Sequence, residues 1–116
     1  MGNIIRGRVL LDGDVHRNDP VPANSRLLIR LEQISEEDTA GVFSKEIEIS
    51  TLNTFPIEYK IEIPSNVSPT SSVRLLAQVK RGPIFLYIGE ETVPAVTDSD
   101  QPMTIDIPVR MVRGRE

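Results

Sequence analysis

Cysteine is absent from the 116 residues, which excludes disulfides, thiolate metal sites and thiol catalysis. The compartment stays open, because reducing and oxidising environments both tolerate cysteine-free chains. Histidine occurs once, as His16, so the chain has no zinc-binding histidine pair. No apolar run approaches the roughly 18 residues of a membrane-spanning helix. Arg6 and Arg8 interrupt the start of the chain, where an export signal needs an unbroken apolar stretch. An excess of positive charge is also missing: 13 Lys and Arg face 17 Asp and Glu, a net charge of −4, and such a field does not attract phosphate backbones. Nucleic acid is therefore not an expected partner. Gly-rich phosphate loops and nucleophile elbows are lacking as well, so no catalytic residue, cofactor site or metal site is expected.

What the chain has in quantity is alternation of apolar and polar residues, the period of a strand with one face buried. Ile57, Tyr59, Ile61 and Ile63 alternate with Glu58, Lys60 and Glu62. Val73, Leu75, Ala77 and Val79 alternate with Arg74, Gln78 and Lys80. Leu27, Ile29 and Leu31 form a third row, and Ile47 and Ile49 a fourth beside Glu46 and Glu48. The first strand, Ile4 to Leu11, sets Ile5, Val9 and Leu11 on one side with Gly7 between them, which leaves room for close packing. Met103, Ile105, Ile107, Val109 and Met111 form a long final row. Pro108 interrupts it, and a residue without a ladder donor predicts an edge position or a bulge.

Turn chemistry falls between these rows, at Asp12-Gly13, Asn18-Asp19-Pro20, Asp38 to Gly41, Asn53-Thr54, Ser65 to Ser72 and Thr97 to Pro102, with Arg81-Gly82-Pro83 as a tight hairpin connection. Ser35-Glu36-Glu37-Asp38 resembles a helix start, but Gly41 arrives before an apolar face can form. Strands at this spacing predict one all-β domain over residues 1–116, an antiparallel β-sandwich of about seven to eight strands.

Candidate chemistry is sparse. The stretch Asp12 to Asp19 gathers carboxylates around His16, but lacks the glycine and distal glutamate of a calcium loop; a solvated connection accounts for its composition. Glu46, Glu48, Glu58 and Glu62 alternate with inward residues and so face water, beside Lys45 and Lys60. Asn66-Val67-Ser68 matches a glycosylation acceptor, which matters only in a secretory setting. Arg110, Arg113 and Arg115 give the C-terminus a basic end. Leu10, Leu28, Leu76, Phe85 and Tyr87 stand out of phase with the inward rows. Apolar surface on the outer face of a sheet marks a partner site, unless both faces are covered or the phase slips at a bulge. The candidate partner-binding residues are Leu28, Leu76, Phe85 and Tyr87.

Several stretches carry a family resemblance in a shared order: Ile5-Arg6-Gly7-Arg8-Val9; Val21-Pro22-Ala23-Asn24-Ser25 leading into Leu27 to Ser35; Phe55-Pro56-Ile57-Glu58-Tyr59; and Val73-Arg74-Leu75-Leu76-Ala77-Gln78-Val79, followed by Gly82, Ile84 to Ile88 and Val93-Pro94-Ala95-Val96. From about Ile5 to Val112 the chain resembles the small bacterial lipoproteins that include the type III secretion lipoprotein chaperones, or pilotins, of the YscW type, and the related YbaY-type outer-membrane lipoproteins. The resemblance implies a β-sandwich that binds a protein partner, a secretin-like segment, rather than transforming a small molecule, since pilotins bind secretin subunits and assist their assembly. It implies membrane contact only through a lipid anchor. Family members carry that anchor on a cysteine, which is absent from this chain. The expected location is the periplasmic side of the outer membrane for a trimmed lipoprotein, and otherwise the cytoplasm. Two other readings remain: a ligand- or metal-binding sandwich with its site at Asp12–Asp19, and an assembly domain whose edge at Pro108 pairs with a second copy.

Overall fold

Rows of β-branched and leucine side chains become strands β1 (Ile4–Leu11), β2 (Arg26–Ile34), β3 (Val42–Ile49), β4 (Ile57–Glu62), β5 (Ser72–Arg81), β6 (Ile84–Pro94), β7 (Met103–Thr104) and β8 (Ile107–Met111) in a computed structural model. It describes residues 4–14, 16, 18–34, 42–50, 53–63, 72–94 and 103–112, of which 42–44, 94 and 103 are described by backbone alone. No helix occurs among them. The expected turns at 38–41, 65–71 and 97–102, the helix-like start at Ser35, the acceptor at Asn66, and Arg113 and Arg115 lie outside the described residues.

The strands join in one sheet, ordered β3-β2-β5-β6-β8-β1-β4, with β7 beside β1. The all-β expectation holds, and eight strands fall within the expected number. The antiparallel sandwich does not hold as stated. β1 runs parallel to β7 and to β8, so the sheet is mixed, and its continuity rolls it nearly into a barrel rather than leaving two separate layers. Alternation reports which face of a strand is buried but not which neighbour it pairs with or in which direction, so the parallel pairs of β1 leave no mark in the sequence pattern.

Every inward row meets in one cluster. Ile5, Leu27, Ile29, Leu31, Val73, Leu75, Val79 and Ile107 are fully buried there, each burial worth about 1.5–3 kcal/mol. Phe55 is also fully buried, its ring edge-on to Tyr87 with centroids 5.2 Å apart. Its backbone helps tie the molecule together. Phe55 N–H donates to Asp19 O at 2.9 Å, and Val21 N–H donates to Asn53 O at 2.8 Å, on either side of a Pro20–Thr54 bridge. The connection leading from edge strand β3 to edge strand β4 is thus pinned to the connection between β1 and β2.

Two glycines set how the C-terminal strands insert. Between β7 and β8 the chain is held to β1 by Ile105 N–H donating to Arg6 O (2.8 Å) and by Arg8 N–H donating to Asp106 Oδ1 (3.0 Å). The aspartate side chain thus stands in for a ladder carbonyl. Tyr59, opposite Gly7 on β4, donates its hydroxyl to Ile105 O at 2.6 Å. A Cβ at Gly7 would lie 1.8 Å from that same oxygen. At the other flank a Cβ at Gly89 would lie 1.8 Å from Pro108 O, so β8 passes β6 where β6 has no side chain, next to the small Ala77 of β5.

Pro108 is therefore not at an edge. β8 lies between β6 and β1, and the long final row breaks at Ile105 and Asp106, not at the proline. β8 meets β1 through Ile107, Pro108 and Val109, and meets β6 only through Arg110 and Met111. The missing N–H thus falls where no ladder to β6 is made. Pairing of a second copy along this strand is ruled out by its two neighbours; the sheet edges are β3 and β4. The Arg81-Gly82-Pro83 hairpin is as expected. Arg81 pairs with Ile84, and Gly82 takes φ +59°, the sign a type II′ turn requires at its first central position, with proline's fixed φ at the second.

Two outcomes follow. Gly7→Ala drives a methyl into the Ile105 carbonyl and should lower stability by about 3 kcal/mol or more, or abolish folding. Gly82→Ala, with open space around it, should lose only about 1–2 kcal/mol to its left-handed backbone; urea denaturation compares the two, and equal losses would refute the close approach. Burial first, then the Asp106 and Glu91 carboxylates, push the Tyr59 phenol above its ordinary value of 10.0. The folded state therefore favours the neutral phenol. That stabilisation is complete below pH 10 and is lost as the pH climbs beyond it, where the unfolded chain ionises first. Tyr59→Phe should cost about 1–2 kcal/mol near neutral pH through the lost hydrogen bond, and the gap to the parent should narrow in melts run above about pH 10.

Candidate partner-binding groove

Register assigns the outer face residue by residue. On β5 it presents Arg74, Leu76, Gln78 and Lys80, flanked by Glu32, Arg30, Leu28 and Arg26 of β2 and by Thr92, Glu90, Ile88 and Phe85 of β6. Beyond β6, Arg110 of β8 stands opposite Ile88. Because the ladder between β8 and β6 is only Tyr87–Met111 and Ile88–Arg110, and Pro108 then crosses close against Gly89, the face is not flat there. An open groove of about 1230 Å³ runs along the corner, walled by Leu76, Ile88, Pro108 and Met111, with Ala77 and Gly89 at its base and Glu90, Arg110 and Asp12 supplying charge.

The four residues expected to bind a partner separate into different settings. Leu76 is half-buried and lines the groove. Leu28 is half-buried on the same outer face, between Glu48 and Gln78, and does not line it. Phe85 is exposed near the β5–β6 turn, with Lys80 Nζ 4.7 Å above its ring. Tyr87 points the other way, into the core against Phe55. A bulge explains the reversal: Lys80 pairs with Phe85 and Val79 with Tyr87, so Leu86 is an extra residue and the two aromatics fall on opposite faces. Leu10, also out of phase, is buried.

Ile88, Pro108, Arg110 and Met111 are not among the partner-binding residues expected from the sequence. Ile88 is in phase with Leu76 only once the bulge is known, and the β8 residues reach the groove only because β8 packs beside β6. The groove is chemically plain. Among the described residues its lining contains no serine, cysteine, histidine or lysine. Apolar walls with one arginine and two carboxylates suit the binding of an amphipathic chain segment.

Glu32 and the Asp12–Asp19 stretch make their contacts locally. Glu32 is buried on the outer face, held by Arg30 (3.0 Å) and by both the Nε (3.0 Å) and a terminal nitrogen of Arg74. Those hydrogen bonds raise the Arg74 guanidinium further above its ordinary value, which keeps the cross-strand pair charged. In the Asp12–Asp19 stretch, Asp12 and Gly13 take positive φ, 55° and 72°, in the turn leaving β1. Asp14 Oδ1 accepts the His16 N–H at 2.9 Å, and Asn18 donates its side-chain amide to His16 O at 3.1 Å. Among the described residues no three metal-ligating side chains come together; Val15 and Arg17 of this stretch lie outside them.

Comparison with known proteins places this geometry. No curated protein matches the sequence. Among solved structures the chain is similar to an alternative pilotin from the type II secretion system of Vibrio cholerae, with a TM-score of 0.76 and 16% identity, covering 98% of this chain and 100% of that one. At that identity the likeness establishes a shared fold. The sequence itself matches the family described as type III secretion system lipoprotein chaperone (YscW) over residues 7–107. That span runs from Gly7 within β1 to Ile107 at the start of β8, and on it the chain belongs to the YscW family of type III secretion system lipoprotein chaperones.

Proposed function

We propose that the chain is a pilotin-like, non-catalytic chaperone domain that binds a segment of a secretin subunit and so assists assembly of a secretion system. The family match over residues 7–107 carries this reading, and the fold likeness to a type II secretion pilotin supports it. In such a role the domain works on the periplasmic side of the outer membrane. The binding surface is the groove between Leu76 and Ile88 on one side and Pro108 and Met111 on the other. A secretin segment would lay its apolar face against these walls and set its charges against Arg110, Glu90 and Asp12. Leu28 and Phe85 extend the same face to either side, within reach of a longer segment.

Fluorescence anisotropy with labelled peptides tiling the secretin subunits of the source genome tests the proposal. One segment should bind the folded chain. Leu76→Asp and Ile88→Asp should each weaken that binding about ten-fold or more, as expected for central contacts of an interface. Lys60→Ala, on the distant edge strand β4, should not. Failure of every secretin segment to bind would remove the proposed role, whereas binding that ignores both aspartates would move the partner to another surface.

A further inference from the structure

The groove does not account for the end of the molecule beside it. Among the described residues the exposed large hydrophobics are Ile84, Phe85, Ile88 and Met111. Ile88 and Met111 edge the groove, but Ile84 and Phe85 do not line it. They follow the Gly82-Pro83 turn at the tip of the β5–β6 hairpin, 55% and 43% exposed. Among the described residues the paired neighbours stop short of the tip: β8 pairs as far as Tyr87–Met111, with Val112 N–H donating to Leu86 O at 2.9 Å, and β2 pairs with β5 as far as Lys80–Arg26. Cations surround it. Lys80 pairs with Phe85 and covers its ring, Arg81 pairs with Ile84, and Arg26 stands beside Lys80 on β2. Carboxylates of this end lie at its flanks: Glu48, 3.9 Å from Arg26, and Asp12, Asp14 and Asp19 in the connection that follows β1, beyond β8.

We propose that this hairpin tip is a membrane-docking element, seating Ile84 and Phe85 in the interfacial region of an anionic bilayer while Arg26, Lys80 and Arg81 meet lipid phosphates. Shape decides between a bilayer and a protein partner. Ile84 and Phe85 are consecutive in a strand, so their side chains leave on opposite faces. A groove or flat protein surface covers one face of a hairpin. A fluid interface takes up both at once, and apolar side chains ringed by lysine and arginine are what such an interface holds. Charge decides the lipid: the chain as a whole carries −4, so attraction to an anionic surface has to come from a local cluster, and three cations at one rim supply it. None of these residues lines the partner groove, although Phe85 borders the same face, and the contact does not depend on the secretin reading.

Co-sedimentation of the 116-residue chain with sonicated vesicles tests it, using phosphatidylcholine alone and phosphatidylcholine with about one-third phosphatidylglycerol, at low and high salt. Binding is expected to the anionic vesicles at low salt and to fall with added salt. Ile84→Ser with Phe85→Ser should weaken it about ten-fold or more. Lys80→Gln with Arg81→Gln should do the same, each cation contributing about five-fold at an anionic surface. Leu76→Asp, in the groove, should leave vesicle binding unchanged. Thermal melts of each variant check folding, and tip variants at residues that bury little should melt near the parent. Absence of binding to anionic vesicles by the parent chain would overturn the proposal, as would binding that survives both double substitutions. Loss of secretin-peptide affinity in the Ile84/Phe85 variant, with vesicle binding intact, would assign the tip to the protein interface instead and equally overturn it.

Discussion

The close passage of the C-terminal strand over two side-chain-free positions is the constraint on which the molecule depends. Among the described residues, β8 is the strand that joins β3-β2-β5-β6 to β1-β4 in the sheet order. It does so with parallel pairing on one side and a two-pair antiparallel contact on the other. Both flanks bring backbone to within a distance that any Cβ would block, at Gly7 against Ile105 and at Gly89 against Pro108. The polar cost of these approaches is met locally. Ile105 O is satisfied by the Tyr59 hydroxyl, and the Arg8 N–H by the Asp106 carboxylate, so a break in the ladder leaves no buried group without a partner at these points.

That constraint also makes the groove. A continuous β8 running alongside β6 would extend the outer face as a flat surface. Because pairing is confined to Arg110 and Met111 and Pro108 crosses close against Gly89, the outer side chains of β5 and β6 meet those of β8 at a corner, where Leu76, Ile88, Pro108 and Met111 line one groove. Proline at 108 fits the geometry for the same reason that glycine fits at 89. Where the ladder gives way to a close crossing, a donor is not needed on β8 and a side chain has no room on β6.

Much of the fold was legible because burial here is one-sided. The rows at Leu27–Leu31, Ile57–Ile63 and Val73–Val79 could be read directly, and each is buried as its period requires. The Gly82-Pro83 turn was legible because its backbone angles are dictated by residue type. What could not be read was pairing. Nothing in the alternation of Met103 to Met111 tells that it will lie parallel to β1, or that Asp106 will take a backbone carbonyl's place. The candidate site was half-legible for a related reason. Leu76 is out of phase within a regular strand, so its outward position was secure. Tyr87 follows a single-residue bulge at Leu86, and one extra residue exchanges inside for outside. The far wall of the groove, more than thirty positions later in the chain than Leu76, becomes visible only when β8 is placed.

β6 shows why binding surface and stability need not compete in so small a domain. Its inward residues, Tyr87 and Gly89, serve the core and the β8 crossing, while Ile88 between them is 44% exposed. Strand geometry separates these tasks by a single position. The four large hydrophobics left exposed among the described residues lie on β6 or on the β8 residue paired with it, whereas the outer faces of β1, β3 and β4 carry Arg6, Arg8, Glu46, Glu48, Glu58, Lys60 and Glu62. Charged outer strands keep the sheet edges from pairing with other chains. Among the described residues the exposure of large hydrophobics is thereby gathered on β6 and its β8 partner, where a binding partner or an interface can cover it without unfolding anything beneath.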